Sequence, residues 1–180
     1  MISKKALLER AKKIRLLLMD VDGVLTDGRL YYLPSPDGSP QEVKAFDSQD
    51  GIALWLLKDY GIASGLISGR ESTGVAARAK LLNITYVYQN HKVKLPIFLE
   101  ILKTAGLQPA QVAFIGDDLT DIPVLNRCGL AVAVANARPE AKAAAHFVTR
   151  ASGGGGAVRE VCELLLKAQG SWSKVLMRFS

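Results

Sequence analysis

One short stretch near the N-terminus constrains the fold more than any other part of the chain. Four apolar residues, Leu16–Met19, run directly into Asp20-Val21-Asp22-Gly23. The apolar run predicts a buried strand, and carboxylates two residues apart project to the same side if the strand continues. Two anions this close repel each other unless a cation lies between them, and oxygen ligands suit Mg2+. The alternative is a surface loop with two solvated aspartates, and the rest of the chain argues against it.

Composition places the chain among globular proteins with a full core. It has 180 residues, of which 49% are hydrophobic, so we expect a single domain over residues 1–180. No uncharged apolar run reaches the roughly 18 residues that a membrane span needs. Two cysteines, Cys128 and Cys162, are too few for a disulfide framework, and the basic N-terminus does not resemble a signal peptide. The default location is the cytoplasm.

The formal net charge of +6 invites a nucleic-acid interpretation, so its distribution matters. Residues 1–15 carry six basic side chains against Glu9 alone, a net of +5. The remaining residues carry 17 positive and 16 negative charges, a net of +1. The excess therefore belongs to one N-terminal amphipathic helix, which is solvated or at most binds anions weakly, and we expect neither a nucleic-acid nor a membrane partner.

Apolar runs that alternate with helical segments predict an α/β fold. Asp50 is predicted to cap the second helix, and the chain after about residue 170 is a tail with no assigned role. Two β-prone runs around a Pro/Asp/Gly cluster predict a β-hairpin insert at about 29–46. The strands are predicted at 14–19, 62–67, 84–88, 112–115, 130–134 and 146–148, and the helices at 3–12, 50–60, 71–82, 95–105, from about 119 to 127, 139–145 and 157–168. This alternation indicates a Rossmann-like three-layer sandwich with a mostly parallel sheet and no large cap domain.

Polar residues follow three of the predicted strands. Asp20, Ser68 and Asp117 each come just past a strand end. Ligands of open parallel sheets bind beyond the carboxyl ends of the strands, so we expect these three clusters to meet in one crevice. There a carboxylate can attack phosphorus, a second carboxyl group such as Asp22 can protonate the leaving oxygen, and Lys94 with Ser68 can hold the phosphoryl group.

The order of these motifs resembles a known superfamily. Asp-x-Asp-Gly at 20–23, Ser-Gly-Arg at 68–70, Lys94 and Gly-Asp-Asp-x-x-Asp at 116–121 are similar to the haloacid dehalogenase superfamily of aspartate-nucleophile phosphatases. The segments at 20–28, 44–46, 50–51, 68–70 and 153–161 resemble more narrowly the 3-deoxy-D-manno-octulosonate (Kdo) 8-phosphate phosphatases, which act on the path to the lipopolysaccharide sugar Kdo. The narrower resemblance covers roughly residues 12–169.

The resemblance implies a Mg2+-dependent phosphatase that acts through an aspartyl-phosphate. Asp20 would be nucleophile and metal ligand, Asp22 general acid/base and main-chain metal ligand, and Asp117 the third metal ligand. The other implied residues hold the phosphoryl group (Ser68, Gly69, Lys94) or support the site (Asp118, Asp121). Relatives of this kind form homotetramers in which the inserted hairpin packs between subunits, although Tyr31 and Tyr32 on the hairpin also fit plain strand packing.

Departures from the family pattern bear on the substrate. Gln49 and Gly155 stand where many relatives have arginine, which could bind the carboxylate of a sugar acid. Arg70 and Arg78 are the other candidates for that contact. The glycine run at 153–156 fits either a backbone N–H nest for an anion or a turn that needs positive φ.

Rival functions differ in what they require of these residues. A phosphatase for another eight- or nine-carbon sugar-acid phosphate would keep the whole set of catalytic and phosphate-binding residues, which is Asp20, Asp22, Ser68, Lys94 and Asp117. A catalytically silent domain for oligomerisation or regulation would be free to lose any member of the set. A phosphate-receiver module would need a long-lived phosphoryl-aspartate, whereas Asp22 is placed to hasten hydrolysis.

Overall fold

The computed structural model describes residues 2–180 and has a six-stranded parallel sheet with a separate two-stranded hairpin. The sheet order is β5-β4-β1-β6-β7-β8, and β2 pairs with β3 in the hairpin. The strands are β1 Leu16–Met19, β2 Tyr31–Pro34, β3 Pro40–Val43, β4 Ala63–Ile67, β5 Tyr86–Tyr88, β6 Val112–Gly116, β7 Leu130–Ala133 and β8 Phe147–Val148. The predicted parallel sheet and the hairpin insert are both confirmed.

Helices cover the sheet in two groups. The helices are α1 Lys4–Ala11, α2 Ser48–Asp59, α3 Thr73–Leu81, α4 Lys94–Ala105, α5 Ile122–Leu125, α6 Pro139–Ala144, α7 Ala157–Ala168 and α8 Trp172–Met177. Helix α7 packs against α1, α2 and α8, whereas α4, α5 and α6 form a second contacting group. Among the described residues, no helix is both long and apolar enough to cross a membrane.

The core lies between these helices and the sheet. All four residues of β1 are buried, as are those of β6 and β7, which explains why these strands are continuous apolar runs instead of alternating ones. Phe98 from α4 and Phe114 from β6 are fully buried within the single core cluster. The hairpin contrasts with the sheet, since Tyr32 and Leu33 of β2 lie more than half exposed.

Several local predictions differ from the structure. The N-cap of α2 is Asp47, whose side chain accepts hydrogen bonds from the backbone N–H of Gln49 and Asp50, so the assignment of Asp50 as the cap was wrong. Asp50 lies inside the helix and is buried. The segment predicted as one helix to residue 127 is a 3-10 turn at Leu119–Asp121 followed by the single turn α5. The tail, to which the sequence assigned no role, forms α8.

Candidate active site

The polar strand ends meet at one edge of the sheet. Because β4, β1 and β6 are neighbours, Ser68, Asp20 and Asp117 follow the ends of three adjacent parallel strands. The crevice beyond them has a volume of about 180 Å³ and is lined by Asp20, Asp22, Gly69, Arg70, Lys92, Lys94, Asp117, Asp118 and Thr120. The expected convergence of the motifs on one crevice is therefore observed.

Lys94 lies at the bottom of the crevice between two carboxylates. Its ammonium is 2.7 Å from Asp20 Oδ2 and 2.6 Å from Asp121 Oδ1, and all three side chains are buried. Lys94 is the first residue of α4, so the beginning of this helix delivers its side chain to the strand ends. Burial alone would lower the pKa of Lys94, but the charges of Asp20 and Asp121 raise it above the ordinary value. The lysine is therefore a fixed cation.

Asp121 shapes the loop after β6. Its Oδ2 accepts hydrogen bonds from the backbone N–H of Asp117 (2.9 Å) and Asp118 (3.1 Å), while Oδ1 pairs with Lys94. A Cβ on Gly116 would come within 2.5 Å of the Asp121 side chain, so a residue without a side chain is required there. Both carboxylate oxygens of Asp121 are thus engaged by groups of the protein, and Asp121 supports the loop that carries Asp117.

Asp117 and Asp20 are the carboxylates left to bind a ligand. Oxygens of Asp20, Asp117 and Asp121 lie within 4.8 Å of one another, and Asp117 Oδ1 is buried without a hydrogen-bond partner among the described residues. Without a cation, burial followed by the charges of Asp20 and Asp121 raises the pKa of Asp117 to about 7. An unpartnered buried carboxylate oxygen beside two further carboxylates is the environment that a hard divalent cation stabilises, so these residues fit Mg2+.

The environment of Asp20 suits a carboxylate that must be held still. Its Oδ1 accepts the backbone N–H of Val21 at 2.7 Å, and its Oδ2 pairs with Lys94. Burial raises the pKa of Asp20 to about 6, against the opposing effect of the Lys94 charge. Gly23 lets the following loop approach closely, since a Cβ there would be 2.2 Å from Asp117 Oδ2. The glycine of the Asp-x-Asp-Gly pattern therefore leaves room for Asp117, which follows β6, to lie against the loop after β1.

Asp22 belongs to a second group of charges. Lys44, which follows β3 of the hairpin, forms an ion pair with Asp22 Oδ1 and lies 3.0 Å from Glu42 Oε1. Glu42 also pairs with Arg70 at the mouth of the crevice. Burial would lower the pKa of Lys44, but its hydrogen bond to Asp22 and its ion pair with Glu42 raise it. The hairpin thus contributes two charged side chains to the site of its own chain.

The remaining predicted residues lie at varied distances from the crevice. Ser68 is buried, and its hydroxyl donates to the Arg70 carbonyl (3.0 Å) and accepts from the Arg70 N–H (3.2 Å), so it must rotate to donate to a phosphate. Gly69 and Arg70 line the crevice. Arg78 does not: it donates to the Asp47 carbonyl at 3.2 Å and lines a separate apolar pocket between α2 and α3.

The glycine run at 153–156 forms the predicted turn with positive φ and not the predicted backbone N–H nest. The N–H groups of Gly153, Gly154 and Gly155 donate to Asn136 Oδ1, the Val24 carbonyl and the Ser152 carbonyl, so they form no nest for an anion. A Cβ on Gly153 would come within 1.7 Å of the Gly23 carbonyl oxygen. Gly154 and Gly156 have positive φ. The run therefore lets the backbone pack directly against the loop after β1.

Sequence reasoning did not assign Lys92 and Thr120, which line the crevice. It also missed Lys44 and Glu42, which form ion pairs with the crevice residues Asp22 and Arg70. The sequence does indicate one thing about Lys44 and Glu42: they lie at the end of β3, where the chain leaves the hairpin and returns towards the sheet and the acidic motif at 20–23. That signal needs the direction of the hairpin, which the sequence does not give. Thr120 lies in the 3-10 turn after Asp118, and no pattern marked it.

Comparisons with known proteins agree on one family. A family model for haloacid dehalogenase-like hydrolases matches residues 82–160. The chain is 47% identical over 162 residues, which are 90% of this chain and 84% of the relative, to the 3-deoxy-D-manno-octulosonate 8-phosphate phosphatase KdsC of Yersinia pestis. It also resembles two crystal structures.

The first crystal structure is the phosphatase of that name from Moraxella catarrhalis, in complex with magnesium ion, phosphate ion and KDO. It has 39% sequence identity and a TM-score of 0.94, and the match covers 99% of this chain and 100% of that one. The second is a probable yrbi family phosphatase from Pseudomonas syringae pv. phaseolica 1448a. It has 44% identity and a TM-score of 0.93, and the match covers 98% of both chains.

Proposed function

This chain belongs to the 3-deoxy-D-manno-octulosonate 8-phosphate phosphatases of the haloacid dehalogenase superfamily, and we propose the residues with which it carries out that reaction. It is a Mg2+-dependent phosphatase that hydrolyses the phosphomonoester of the eight-carbon sugar acid Kdo. The observation that carries this function is the cluster of Asp20, Asp117 and Asp121 around Lys94 at the strand ends.

Asp20 is the proposed nucleophile. One of its carboxylate oxygens attacks phosphorus in line with the bond to the sugar oxygen, so an aspartyl-phosphate forms as that bond breaks. Lys94 supports this step, since an ammonium has three N–H donors and only two are engaged by Asp20 and Asp121. The third donor is available to a phosphoryl oxygen. Ser68 and the backbone at Gly69 complete the proposed phosphate contacts.

Asp22 is the proposed general acid and base. It lines the crevice two residues after Asp20 and is partly exposed, so a substrate oxygen and a water molecule can reach it. Its carboxyl proton passes to the sugar alkoxide as the phosphorus–oxygen bond breaks. It then removes a proton from water, whose oxygen attacks phosphorus and releases Asp20 and inorganic phosphate.

The proposed magnesium ligands are the side chains of Asp20 and Asp117 and the main-chain carbonyl of Asp22, with Asp118 and Asp121 in support. When bound, Mg2+ offsets the repulsion between these carboxylates and the anionic phosphate. The unpartnered Asp117 Oδ1 supports this assignment.

The sugar acid's carboxylate needs a cation at the crevice mouth. Arg70 is the proposed contact, because it lines the crevice and is nearly half exposed. Arg78 is a weaker candidate within this chain, since its guanidinium is engaged with the Asp47 carbonyl beside another pocket. Gln49 and Gly155 bring no guanidinium of their own, which makes a phosphatase for a related nonulosonate phosphate the nearest alternative.

We also propose that the protein works in the cytoplasm as a homotetramer and that residues 1–180 form one domain. Apolar side chains of the hairpin, including Tyr32 and Leu33, lie exposed and are suited to contacts between subunits. Both cysteines are buried free thiols, which is typical of proteins from a reducing compartment.

The test is phosphate release from a panel of sugar phosphates that includes Kdo 8-phosphate and nonulosonate 9-phosphates, with and without Mg2+. We expect strong preference for Kdo 8-phosphate and no release when Mg2+ is chelated. Asp20→Asn, which changes one nucleophilic oxygen into an amide, is expected to lose at least about 10³-fold in kcat while the fold is retained.

Two results would contradict the proposal. Near-parent activity of Asp20→Asn would remove the nucleophile assignment. Preference for a nine-carbon substrate would keep the chemistry and replace Kdo 8-phosphate as the substrate.

A further inference from the structure

Lys44 is a buried charge beside Asp22 that the proposed reaction does not use. It follows β3 of the hairpin, and its side chain is 2% exposed. Its ammonium lies between Asp22 Oδ1 and Glu42 Oε1. A lysine that is buried to this extent and engaged by two carboxylates is not free to bind a substrate anion.

Glu42 keeps the lysine in place from the other side. Its Oε2 pairs with Arg70, so Asp22, Lys44, Glu42 and Arg70 form a row of alternating charges from the motif after β1 to the crevice mouth. Alternating charges attract at each step, and each member is held by its neighbours. The end of the row inside the crevice is the carboxylate of Asp22.

Asp22 needs such a neighbour because little else in the chain holds its carboxylate. Of the described residues, only Lys44 forms a hydrogen bond or ion pair with the Asp22 side chain. By contrast, Asp20 is held by Val21 N–H and Lys94. Lys44 takes Oδ1, so Oδ2 is the oxygen left to exchange a proton with the substrate.

We propose that Lys44 is a positioning residue that fixes the carboxylate of Asp22 for proton transfer to the leaving sugar oxygen. This inference rests on the proposed role of Asp22 as general acid. It predicts a specific defect: without Lys44, the carboxyl group samples other rotamers and reaches the leaving oxygen less often. Misplacement by about 1 Å is enough to cost on the order of 10²-fold in rate.

The test compares leaving groups with different needs for a proton. A sugar alkoxide is a strong base and leaves only when protonated, whereas p-nitrophenolate is a weak base and leaves without help. The variant is Lys44→Met, which keeps the length of the side chain and removes the charge. Lys80→Met, at an exposed lysine on α3, is the matched control.

The quantity to measure is kcat/KM, because it reports only the steps up to formation of the aspartyl-phosphate. We expect Lys44→Met to lower kcat/KM for Kdo 8-phosphate about 10- to 100-fold and for p-nitrophenyl phosphate by less than about 3-fold. An equal fall for both substrates, or no fall for either, would overturn the inference. If Lys44→Met does not fold, Lys44→Gln is measured instead; it keeps a hydrogen-bond donor, so we expect a smaller fall in kcat/KM for Kdo 8-phosphate that still exceeds the fall for p-nitrophenyl phosphate.

An Asp22→Asn background separates positioning from direct contact with the sugar. If Lys44 acts through Asp22, adding Lys44→Met to Asp22→Asn lowers kcat/KM for Kdo 8-phosphate no further. A full additional loss in the double variant would overturn the inference in favour of a sugar contact.

The same variants distinguish two kinds of failure. Parent-like activity of Asp22→Asn would remove the general-acid role and with it the proposal for Lys44. A slow Asp22→Asn together with a parent-like Lys44→Met would remove the proposal for Lys44 alone.

Discussion

Lys94, which lines the crevice, and Lys44, which pairs with the crevice residue Asp22, each contact two carboxylates, but the exposure of those carboxylates differs. Lys94 lies between Asp20 and Asp121, and Lys44 lies between Asp22 and Glu42. Each lysine side chain is 2% exposed, and each contacts one of the two carboxylates of the Asp-x-Asp motif. We refer to them as the Lys94 cluster and the Lys44 cluster.

The difference lies in the carboxylates around each lysine. In the Lys94 cluster the side chains of Asp20 and Asp121 are 10% and 0% exposed, and they follow central strands of the sheet. In the Lys44 cluster the side chains of Asp22 and Glu42 are 22% and 19% exposed, and Glu42 and Lys44 both come from the hairpin insert. The sheet thus fixes the proposed nucleophile, whereas the insert fixes the proposed acid.

The largest expected effect is the loss of stability in Lys94→Met. Removing one partner of a buried ion pair leaves an uncompensated charge and costs roughly 3–5 kcal/mol. Lys44→Met leaves carboxylates that water can reach, so we expect it to cost only about 1–2 kcal/mol. Urea unfolding of both variants at pH 8 measures the difference directly.

The control for this comparison is Lys94→Met combined with Asp121→Asn. The double variant removes one of the two uncompensated charges, and we expect it to recover part of the lost free energy of unfolding. Equal destabilisation by Lys94→Met and Lys44→Met would contradict the contrast between the two clusters.

The Lys94 cluster could be anticipated from the sequence, and the Lys44 cluster could not. Apolar runs fix where parallel strands end, and parallel strands place their ends at one edge, so Asp20 and Asp117 had to meet. Lys44 reaches Asp22 only because of how the hairpin folds back, and neither turn residues nor strand pattern determine that direction.

The rules for helix caps also failed to choose between two similar residues. Asp47 and Asp50 both precede the apolar part of α2, and the structure uses Asp47 as the cap.

A second prediction concerns the hairpin, whose second strand ends directly before Lys44. Deleting residues 34–40 removes the turn and the ends of β2 and β3, so the strand that carries the exposed Tyr32 and Leu33 loses the hairpin that holds it. We expect a lower molecular mass by light scattering, because the proposed subunit contacts are lost. Thermal stabilisation by Mg2+ should persist, because no residue of the Lys94 cluster comes from the hairpin.

A lower mass with retained stabilisation by Mg2+ would show that the hairpin serves assembly and that the Lys94 cluster does not depend on it. An unchanged mass would contradict the proposed role of the hairpin in assembly. Loss of stabilisation by Mg2+ would show instead that the Lys94 cluster depends on the insert.

The last expected effect is at Asp50, a buried carboxylate that no lysine contacts. Its Oδ1 accepts the backbone N–H of Arg159 at 2.7 Å near the beginning of α7, and its Oδ2 has no partner among the described residues. Burial raises its pKa from 3.8 to about 6; the Arg159 N–H opposes this shift, and the charge of Asp47 adds to it. Asp50 shows what burial does to a carboxylate when only backbone groups compensate it.

The sign of the pH effect at Asp50 follows from linkage. Between about pH 4 and 6 the folded protein binds more protons at this group than the unfolded chain, so its contribution to stability falls as the pH rises. Asp50→Asn has no charge to bury, and its amide oxygen still accepts the Arg159 N–H. We therefore expect the free energy of unfolding of Asp50→Asn, relative to the parent, to increase by on the order of 1–3 kcal/mol from pH 4 to pH 7. Urea unfolding across this range measures the increase, with Glu140→Gln at an exposed carboxylate as control. A difference that is constant with pH would contradict the raised pKa, because it would mean that the backbone N–H at the beginning of α7 offsets the cost of burying the Asp50 charge.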